Sequence, residues 1–440
     1  MTIEGKPLAK GKYAFVAIPD ANEWTIVINS ASGQWGVYEL KNLKSKHNFP
    51  KIRIIVQHIT KFFIHQIQFY YMKKFLFFIL IFISLLSCKK VDVDATAKLV
   101  TQEWLKGLQT PWQIVFAKDG RIFFTERAGR VRVVKDGVLS TWLDLTGVVE
   151  QGESGLLGIG LDPNFAQNGY VYIAYTYSTP EWKFINRLVR CVEDKTTGKG
   201  KEEKTLIDNI RGQQNHNGGP IKFGPDGKMY WTVGDGFNND LPQDKTSLNG
   251  KVLRLNLDGT VPSDNPFPNS YIWSYGNRNV QGMDWQPGTN NLFVTEHGPT
   301  GIFGLPDCCK DEINIIEKGK NYGWPVISGT QTKEGMESPI WLSGTDKTWA
   351  PAGGIFVKQG KWKGSFVFVG LKGETLYRAV IDPTNPRKIL RVEEYLKQTY
   401  GRLRDVAEAP DGTFYICVSN RDGRGAPKAE DDRIIKLTVQ

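Results

Sequence analysis

Apolar strands and polar turns alternate at regular intervals over most of this chain. The repeating unit is an apolar strand, a turn built on Pro-Asp-Gly or a similar sequence, and a second strand rich in aromatic and β-branched residues. Copies of the unit occupy Trp112 to Glu126, Leu156 to Thr176, Pro220 to Gly236, Met283 to Gly298, Gly354 to Arg378 and Val406 to Asn420. Strands at this spacing, without long amphipathic helical segments, predict repeated four-stranded antiparallel sheets.

Six such sheets predict an all-β fold, the six-bladed β-propeller, because radial closure hides the strand edges that an open sheet exposes. We assign residues 108–440 to the propeller and residues 89–107 to a tether that precedes it. The Pro-Asp-Gly turns themselves carry no chemistry, since this sequence is typical of a tight turn. A propeller alone names no activity, so the function has to come from residues at the strand ends.

A different pattern precedes the repeats. Met72-Lys73-Lys74 is followed by the apolar run Phe75 to Leu86 and then by Cys88. A basic start and a short apolar run indicate a secretion signal over residues 72–88. It resembles a bacterial lipoprotein signal, which implies export, lipidation of Cys88 and a tether to the membrane surface of the bacterial envelope. The alternative is a short buried helix with a chance cysteine.

Residues 1–71 stand apart from the rest of the chain. Residues 5 to 40 alternate in a strand-like way and resemble part of a small β-domain of secreted bacterial proteins. About forty such residues are too few to close a core of their own. We interpret residues 1–71 as a spurious or fused upstream segment and assign no function to them.

The distribution of charge along the chain limits the partners that the protein can bind. The formal net charge is +10, but residues 1–90 hold 13 Lys/Arg and 4 Asp/Glu, which leaves 43 basic and 42 acidic residues in the remainder. A duplex-binding surface needs a clustered basic face, so we expect no nucleic-acid partner. With only five cysteines, the chain is also no disulfide scaffold.

The candidate catalytic and binding residues lie in short polar motifs that are flanked by glycine. Two of the five histidines lie in such motifs, Asn215-His216-Asn217-Gly218-Gly219 and Glu296-His297-Gly298-Pro299. Imidazole titrates near neutrality, so both motifs are candidates for proton transfer or ligand binding. Similar motifs are Gly152-Glu153-Ser154-Gly155, Gly234-Asp235-Gly236, Gly276-Asn277-Arg278-Asn279, Leu371-Lys372-Gly373 and Gly401-Arg402-Leu403-Arg404-Asp405.

Taken in order, these motifs resemble those of the soluble glucose and sorbosone dehydrogenases, propeller enzymes that use pyrroloquinoline quinone (PQQ) and calcium. The resemblance runs from about Leu108 to Leu437. It implies a PQQ-dependent dehydrogenase that oxidises aldose sugars or related hydroxyl and aldehyde compounds by hydride transfer to the quinone. The chain has no Cys-x-x-Cys-His haem motif, so we expect an external electron acceptor such as a quinone or a cytochrome.

The same resemblance implies roles for single residues. His216 matches the general base, Asp235 the carboxylate that orients it, and Arg278 the cation beside the reacting quinone carbonyl. Without the family, the alternative for Asp235 and Arg278 is a structural ion pair at a blade end. PQQ is a planar tricarboxylate, which suits fixed cations. The cofactor-binding residues implied are Glu153, Asn279, His297, Gly298, Trp349, Lys372, Arg402 and Arg404.

Two of these assignments leave an alternative open. In the best-studied branch of the family a glutamine stands where Glu153 does, so the role of a carboxylate at this position is left open. Trp349 either packs against the cofactor ring or is an ordinary core tryptophan.

Calcium takes oxygen ligands, including main-chain carbonyls. Gly298 and Pro299 match the loop that holds the cofactor-bound ion in the family, whereas His297 is assigned to the pocket wall. Glu312 and Tyr322 match a second calcium site. Between these motifs lies an insertion, residues 300–310, in which Cys308 and Cys309 either form a vicinal disulfide or remain separate thiols.

Two further functions compete with the dehydrogenase. A calcium-dependent propeller lactonase or other hydrolase would need an open metal held by side-chain carboxylates and amides in the channel. A non-catalytic lipoprotein would bind glycans or proteins through the propeller face. The cluster of basic residues favours an anionic cofactor, and the set of His216, Asp235 and Arg278 favours catalysis.

Overall fold

The computed structural model describes residues 97–440 except Trp182 and residues 300–308, and it also describes the backbone of the short strands between residues 2 and 54. The chain forms two compact units, Met1–Ala95 and Thr96–Gln440. In the described part of the chain, no helix is long and apolar enough to cross a membrane. The predicted signal segment, residues 72–88 with Cys88, lies outside the described residues.

The described residues of the first unit form short strands. In chain order they are β1 (Thr2–Ile3), β2 (Lys6–Pro7), β3 (Tyr13–Pro19), β4 (Glu23–Ser30), β5 (Trp35–Gly36) and β6 (Lys51–Ile54). β1 pairs with β2, and β4 pairs with β3 and β5 in antiparallel fashion and with β6 in parallel.

The second unit begins with β7 (Leu99–Leu105) and continues as a series of four-stranded antiparallel sheets. The first sheet is β8 (Pro111–Phe116), β9 (Ile122–Glu126), β10 (Arg130–Lys135) and β11 (Val138–Asp144). The second is β12 (Leu156–Leu161), β13 (Tyr170–Ser178), β14 (Phe184–Glu193) and β15 (Gly200–Arg211), with the helical turn α1 (Phe165–Asn168) between its first two strands. The third is β16 (Ile221–Phe223), β17 (Met229–Val233), β18 (Lys251–Leu255) and β19 (Ile272–Tyr275).

The remaining sheets repeat this plan. The fourth is β20 (Val280–Trp285), β21 (Leu292–Glu296), β22 (Glu312–Ile316) and β23 (Trp341–Leu342). The fifth is β24 (Pro351–Phe356), β25 (Phe366–Gly370), β26 (Thr375–Asp382) and β27 (Asn385–Tyr395). The sixth is β28 (Leu403–Glu408), β29 (Phe414–Val418) and β30 (Arg433–Val439), and β7 is its fourth strand.

The first strands of the sheets, β8, β12, β16, β20, β24 and β28, contact one another in a closed ring. This arrangement confirms the predicted six-bladed propeller. β7 pairs with β30, with Glu103 opposite Ile435. The propeller therefore begins before the predicted boundary at residue 108, because part of the segment assigned to the tether supplies the outer strand of the last blade.

Apolar clusters lie between neighbouring blades. One joins the fifth and sixth blades through residues such as Val369, Leu376, Val406 and Ile416, all of them buried. Near the axis the strands approach so closely that side chains do not fit. A Cβ on Gly158 would lie 2.0 Å from the carbonyl oxygen of Gly219. The inner ring is therefore built partly of glycine, and the polar groups collect at its ends.

Candidate active site at one end of the propeller

The predicted site residues come from one edge of the blades. In an antiparallel sheet the start of the first strand and the end of the second lie at the same edge. His216 and Arg278 precede first strands, whereas Asp235, His297 and Lys372 follow second strands. The topology thus gathers residues that are distant in the sequence around one end of the central channel.

His216 and Asp235 form a buried pair. The Nδ1 atom of His216 lies 2.7 Å from Oδ1 of Asp235. The other carboxylate oxygen, Oδ2, accepts a hydrogen bond from Nε1 of Trp324 at 3.0 Å, and the backbone N–H of Phe237 donates to Oδ1 at 2.8 Å. Because a carboxylate only accepts, Nδ1 carries the proton and Nε2 of His216 keeps a free lone pair. The arrangement is that of a general base with its orienting carboxylate.

Arg278 lies next to this pair. Its backbone carbonyl accepts the N–H of Asp235 at 2.8 Å, and its guanidinium carbon lies 5.3 Å from the ring centroid of Trp324. The side chain is buried, yet Nη1 reaches only the carbonyl of His297 at 3.4 Å, and Nε has no partner in the described part of the chain. Burial lowers the pKa of Arg278, while Asp235 and nearby carboxylates oppose the shift. A buried guanidinium without a direct counter-ion favours an anionic ligand.

Glu153 joins the site through both carboxylate oxygens. Oε2 accepts the backbone N–H of His216 at 3.1 Å and a longer bond of 3.5 Å from Nδ2 of Asn279. Oε1 pairs with Arg424. Burial alone would raise the pKa of Glu153, but electrostatic interactions with the imidazoles of His216 and His297 and with the guanidinium of Arg424 hold it well below its usual range. Glu153 is therefore ionised.

The basic residues predicted for the cofactor fall into three situations. Arg404 is buried with Nη1 on Oε1 of Gln281 at 2.7 Å, and its Nε has no partner among the described residues. Burial lowers the pKa of Arg404 to about 10. Arg402 is already in a buried ion pair with Asp422 at 2.7 Å. Lys372 is exposed, and no described residue pairs with its side chain.

A hydrogen-bond chain connects Arg404 to the base. Nε2 of Gln281 donates to the carbonyl of Gly218 at 3.0 Å and to Oδ1 of Asn279 at 3.1 Å. The same Asn279 oxygen accepts the N–H of Gly218 at 3.1 Å. Gly218 belongs to the His216 motif, so this network fixes the base and the Arg404 side of the pocket relative to each other.

His297 and Gly298 line the neighbouring wall. Nε2 of His297 donates to the carbonyl of Pro351 at 2.9 Å. Burial lowers the pKa of His297 to about 3, with Glu153 opposing the shift and Arg278 and Arg404 reinforcing it. His297 is therefore neutral at physiological pH. The N–H of Gly298 donates to Asp311 at 2.9 Å, and the carbonyl of Pro299 accepts the N–H of Cys309 at 3.1 Å.

Trp349 packs in the core of the fifth blade. Its ring centroid lies 5.3 Å from that of Phe368 and 5.1 Å from that of Tyr377, and its backbone N–H donates to Asp311 at 2.6 Å. These contacts favour the core alternative for Trp349. They also place it beside Lys372, because the next residue, Gly373, donates its N–H to the carbonyl of Trp349 at 2.9 Å.

A second polar cluster surrounds Glu312. Nδ2 of Asn314 donates to Glu312 at 3.0 Å and to Glu296 at 3.3 Å, while Oδ1 of Asn314 is buried without a partner in the described structure. Burial raises the pKa of both carboxyl groups. Two buried carboxylates beside an unpaired amide oxygen are a donor set that suits calcium. The hydroxyl of Tyr322 is not part of this set, because it donates to the carbonyl of Ile315.

The cysteine prediction falls partly outside the described residues. Cys309 takes part in a disulfide bond whose partner is not described, and Cys308 belongs to the undescribed residues 300–308. Cys191 and Cys417 are buried and free.

Four residues at the site have contacts that their sequence motifs did not predict. Trp324 holds Asp235, Gln281 links the two halves of the pocket, Glu296 faces Glu312, and Arg424 pairs with Glu153. Glu296 lies inside the motif Glu296-His297-Gly298-Pro299, and Trp324 follows Tyr322 by two positions. The motif Asn420-Arg421-Asp422-Gly423-Arg424-Gly425 has the same glycine-bracketed form as the others and would have been the signal for Arg424.

Fold and site together define a propeller oxidoreductase. The model of the family described as Glucose / Sorbosone dehydrogenase matches residues 108–429, and the chain belongs to this family. Residues 1–70 match a second model, described as a protein of unknown function (DUF2911).

Relatives and solved structures agree with this assignment. Aldose sugar dehydrogenase YliI of Escherichia coli (strain K12) is 30% identical over 369 residues, which is 78% of this chain and 96% of that protein. Quinoprotein glucose dehydrogenase B of Acinetobacter calcoaceticus is 31% identical over 314 residues, 62% of this chain and 63% of that protein. The PQQ-bound form of the aldose sugar dehydrogenase of Streptomyces coelicolor has a TM-score of 0.69 at 34% identity, covering 79% of this chain and 99% of that one.

Proposed function

We propose that this protein is a PQQ- and calcium-dependent dehydrogenase that oxidises aldose sugars, with His216 as the general base. The observation that carries the proposal is the combination of an oriented imidazole with two buried arginines, Arg278 and Arg404, that lack carboxylate partners in the described structure. An anionic group in this pocket would compensate both cations.

The residues present fit the cofactor. Arg278, Arg404 and Lys372, which has no ion-pair partner among the described residues, would hold its carboxylates and carbonyls, and Asn279 would add a polar contact. Arg402 would contribute less, since Asp422 already occupies it. When bound, PQQ supplies the hydride acceptor. The carbonyls of Gly298 and Pro299 would face the cofactor-bound calcium, and Glu312, with Glu296 and Asn314, would hold the second ion.

The chain's own residues then account for proton transfer. Nε2 of His216 takes the proton from the sugar hydroxyl that is being oxidised, because Asp235 keeps the other ring nitrogen protonated. Asp235 stabilises the imidazolium that forms. Arg278 places positive charge on the side of the pocket where negative charge grows during the reaction.

Reconstitution tests the proposal directly. Purified apoprotein is mixed with PQQ and Ca²⁺, and reduction of an artificial dye is followed with a panel of aldoses. We expect His216→Ala to abolish dye reduction while PQQ still binds, as measured by the absorbance of the bound cofactor. Unchanged turnover in this variant would remove His216 as the base, and absence of turnover in the wild-type protein with every aldose would refute the proposed activity.

We further propose that the enzyme is exported and tethered to the envelope through lipidated Cys88, and that it passes electrons to an external acceptor. The support is the basic and apolar pattern of residues 72–88. Metabolic labelling with a radioactive fatty acid checks this proposal, with label expected in the wild-type protein and absent from Cys88→Ala. Equal labelling of both proteins would contradict the anchor.

A further inference from the structure

Arg424 reaches from the last blade to residues beside His216. It lies in the connection between β29 and β30. Its Nη1 atom donates to Oε1 of Glu153 at 2.5 Å, and its Nη2 atom donates to Oδ1 of Asn215 at 2.5 Å. One guanidinium therefore connects residues that precede it by 271 and 209 positions.

Both partners of Arg424 are adjacent to the base. Asn215 precedes His216 in the chain, and the second oxygen of Glu153 accepts the backbone N–H of His216. The side chain of Arg424 is 48% exposed and that of Glu153 is 16% exposed. The pair is thus the more solvent-exposed part of the surroundings of His216, whose side chain is 8% exposed.

The charges of this pair determine which groups can bind next to it. The guanidinium and the carboxylate neutralise each other and together offer donors and acceptors at short spacing. Sugar hydroxyls both donate and accept, so an uncharged sugar can bind to such a surface. A carboxylate on the sugar would find the guanidinium occupied and would be repelled by Glu153.

We propose that Arg424, paired with Glu153, is a specificity-determining residue that favours uncharged aldoses and disfavours sugar acids. This inference rests on the proposed sugar oxidation. It goes beyond that activity because it ties the choice of substrate to one ion pair. The two members of the pair act with opposite sign, since removing one charge leaves the other alone.

Glucose and glucuronate provide the test, because the two sugars share the hydroxyl at the anomeric carbon and differ by a carboxylate at C6. The measured quantity is the ratio of kcat/KM for glucuronate to kcat/KM for glucose in the reconstituted enzyme. Glu153→Gln leaves the cation and raises the ratio about tenfold, the size of a hydrogen bond to a charged group. Arg424→Gln leaves the carboxylate and lowers the ratio about fivefold. The double variant returns it toward the wild-type value.

Lys428→Gln is the matched control. Lys428 is exposed in the same connection, and no described residue pairs with its side chain, so the ratio stays at the wild-type value. Thermal unfolding and PQQ titration show that each variant is folded and loaded. Structural damage alone would lower both kcat/KM values together and would not move the ratio in opposite directions.

The outcomes separate this inference from the proposed function. If glucose is oxidised but Glu153→Gln and Arg424→Gln shift the ratio in the same direction, or not at all, the role of Arg424 is refuted and the dehydrogenase stands. If Glu153→Gln does not fold, Arg424→Gln decides alone: a lower ratio supports the inference and an unchanged ratio overturns it. If the wild-type protein oxidises no aldose, both proposals fall.

Discussion

Replacing Asp235 by asparagine tests how the base is oriented. The carboxylate makes three hydrogen bonds, in which it accepts from Nδ1 of His216, from the N–H of Phe237 and from Nε1 of Trp324. Asparagine keeps the shape but exchanges one acceptor oxygen for an NH₂ group. The effect depends on which way this amide points.

The structure decides between the two orientations. With the amide oxygen in the place of Oδ1, the bonds from His216 and Phe237 survive and only Trp324 meets a second donor. With the amide reversed, the N–H of Phe237 meets a donor and the imidazole is forced into the tautomer whose Nε2 carries a proton. The first orientation retains more bonds and is therefore expected. Asp235→Asn then loses a negative charge but keeps the correct tautomer.

The expected loss of kcat in Asp235→Asn follows from this orientation of the amide. A hydrogen bond to a charged group contributes about 1.5–3 kcal/mol, which corresponds to a loss of roughly 10- to 100-fold in kcat. A forced wrong tautomer would cost about 10⁴-fold, as in histidine–aspartate sites where the tautomer does change. We expect the smaller loss, measured by steady-state dye reduction at saturating PQQ and Ca²⁺. Asp240→Asn, an exposed position in the same loop, serves as the control. A loss of 10⁴-fold would refute the orientation argument, and a loss of under threefold would refute the role of Asp235.

Three further predictions follow from buried charges. Arg404→Met should weaken PQQ binding at least about tenfold, as measured by calorimetric titration. The apoprotein should be as stable as the wild type or more stable in thermal unfolding, because an uncompensated buried cation is removed. Ca²⁺ should raise the Tm of the wild-type protein, and Glu312→Gln should reduce this rise; an equal rise in both proteins would exclude Glu312 as a ligand. Burial raises the pKa of Asp405 to about 7. Between about pH 4 and pH 7 the folded protein therefore keeps a proton on this carboxyl group that the unfolded chain has released. The free energy of unfolding falls as the pH rises through this window. In Asp405→Asn, the Tm should fall less steeply between about pH 4 and pH 7 than in the wild-type protein. An unchanged dependence of Tm on pH would contradict the raised pKa of Asp405.

The sequence predicted the blades better than their closure. Each blade carries an apolar strand, a tight turn and an aromatic strand in direct succession, and such local patterns are readable from one chain. β7 escaped prediction because its partner β30 lies more than three hundred residues later, as the pairing of Glu103 with Ile435 shows. Nothing local marks a strand that completes a distant sheet.

At the site, too, local motifs could be predicted from the sequence and long-range contacts could not. The motifs containing His216, Asp235 and Arg404 could be found because polar residues stand between glycines at predicted strand ends. The contacts of Arg424 could not, because they join blades that are far apart in the chain. Burial also lay beyond the sequence, which did not distinguish the paired Arg402 from the uncompensated Arg404.

The sharing of the last blade between the two ends of the propeller has a consequence for biogenesis. Among the described strands of the propeller, β7 is synthesised first and its sheet partner β30 is synthesised last. The ring of blades therefore cannot close until β30 has been made. A nascent propeller stays open through the synthesis of every blade that lies between these two strands.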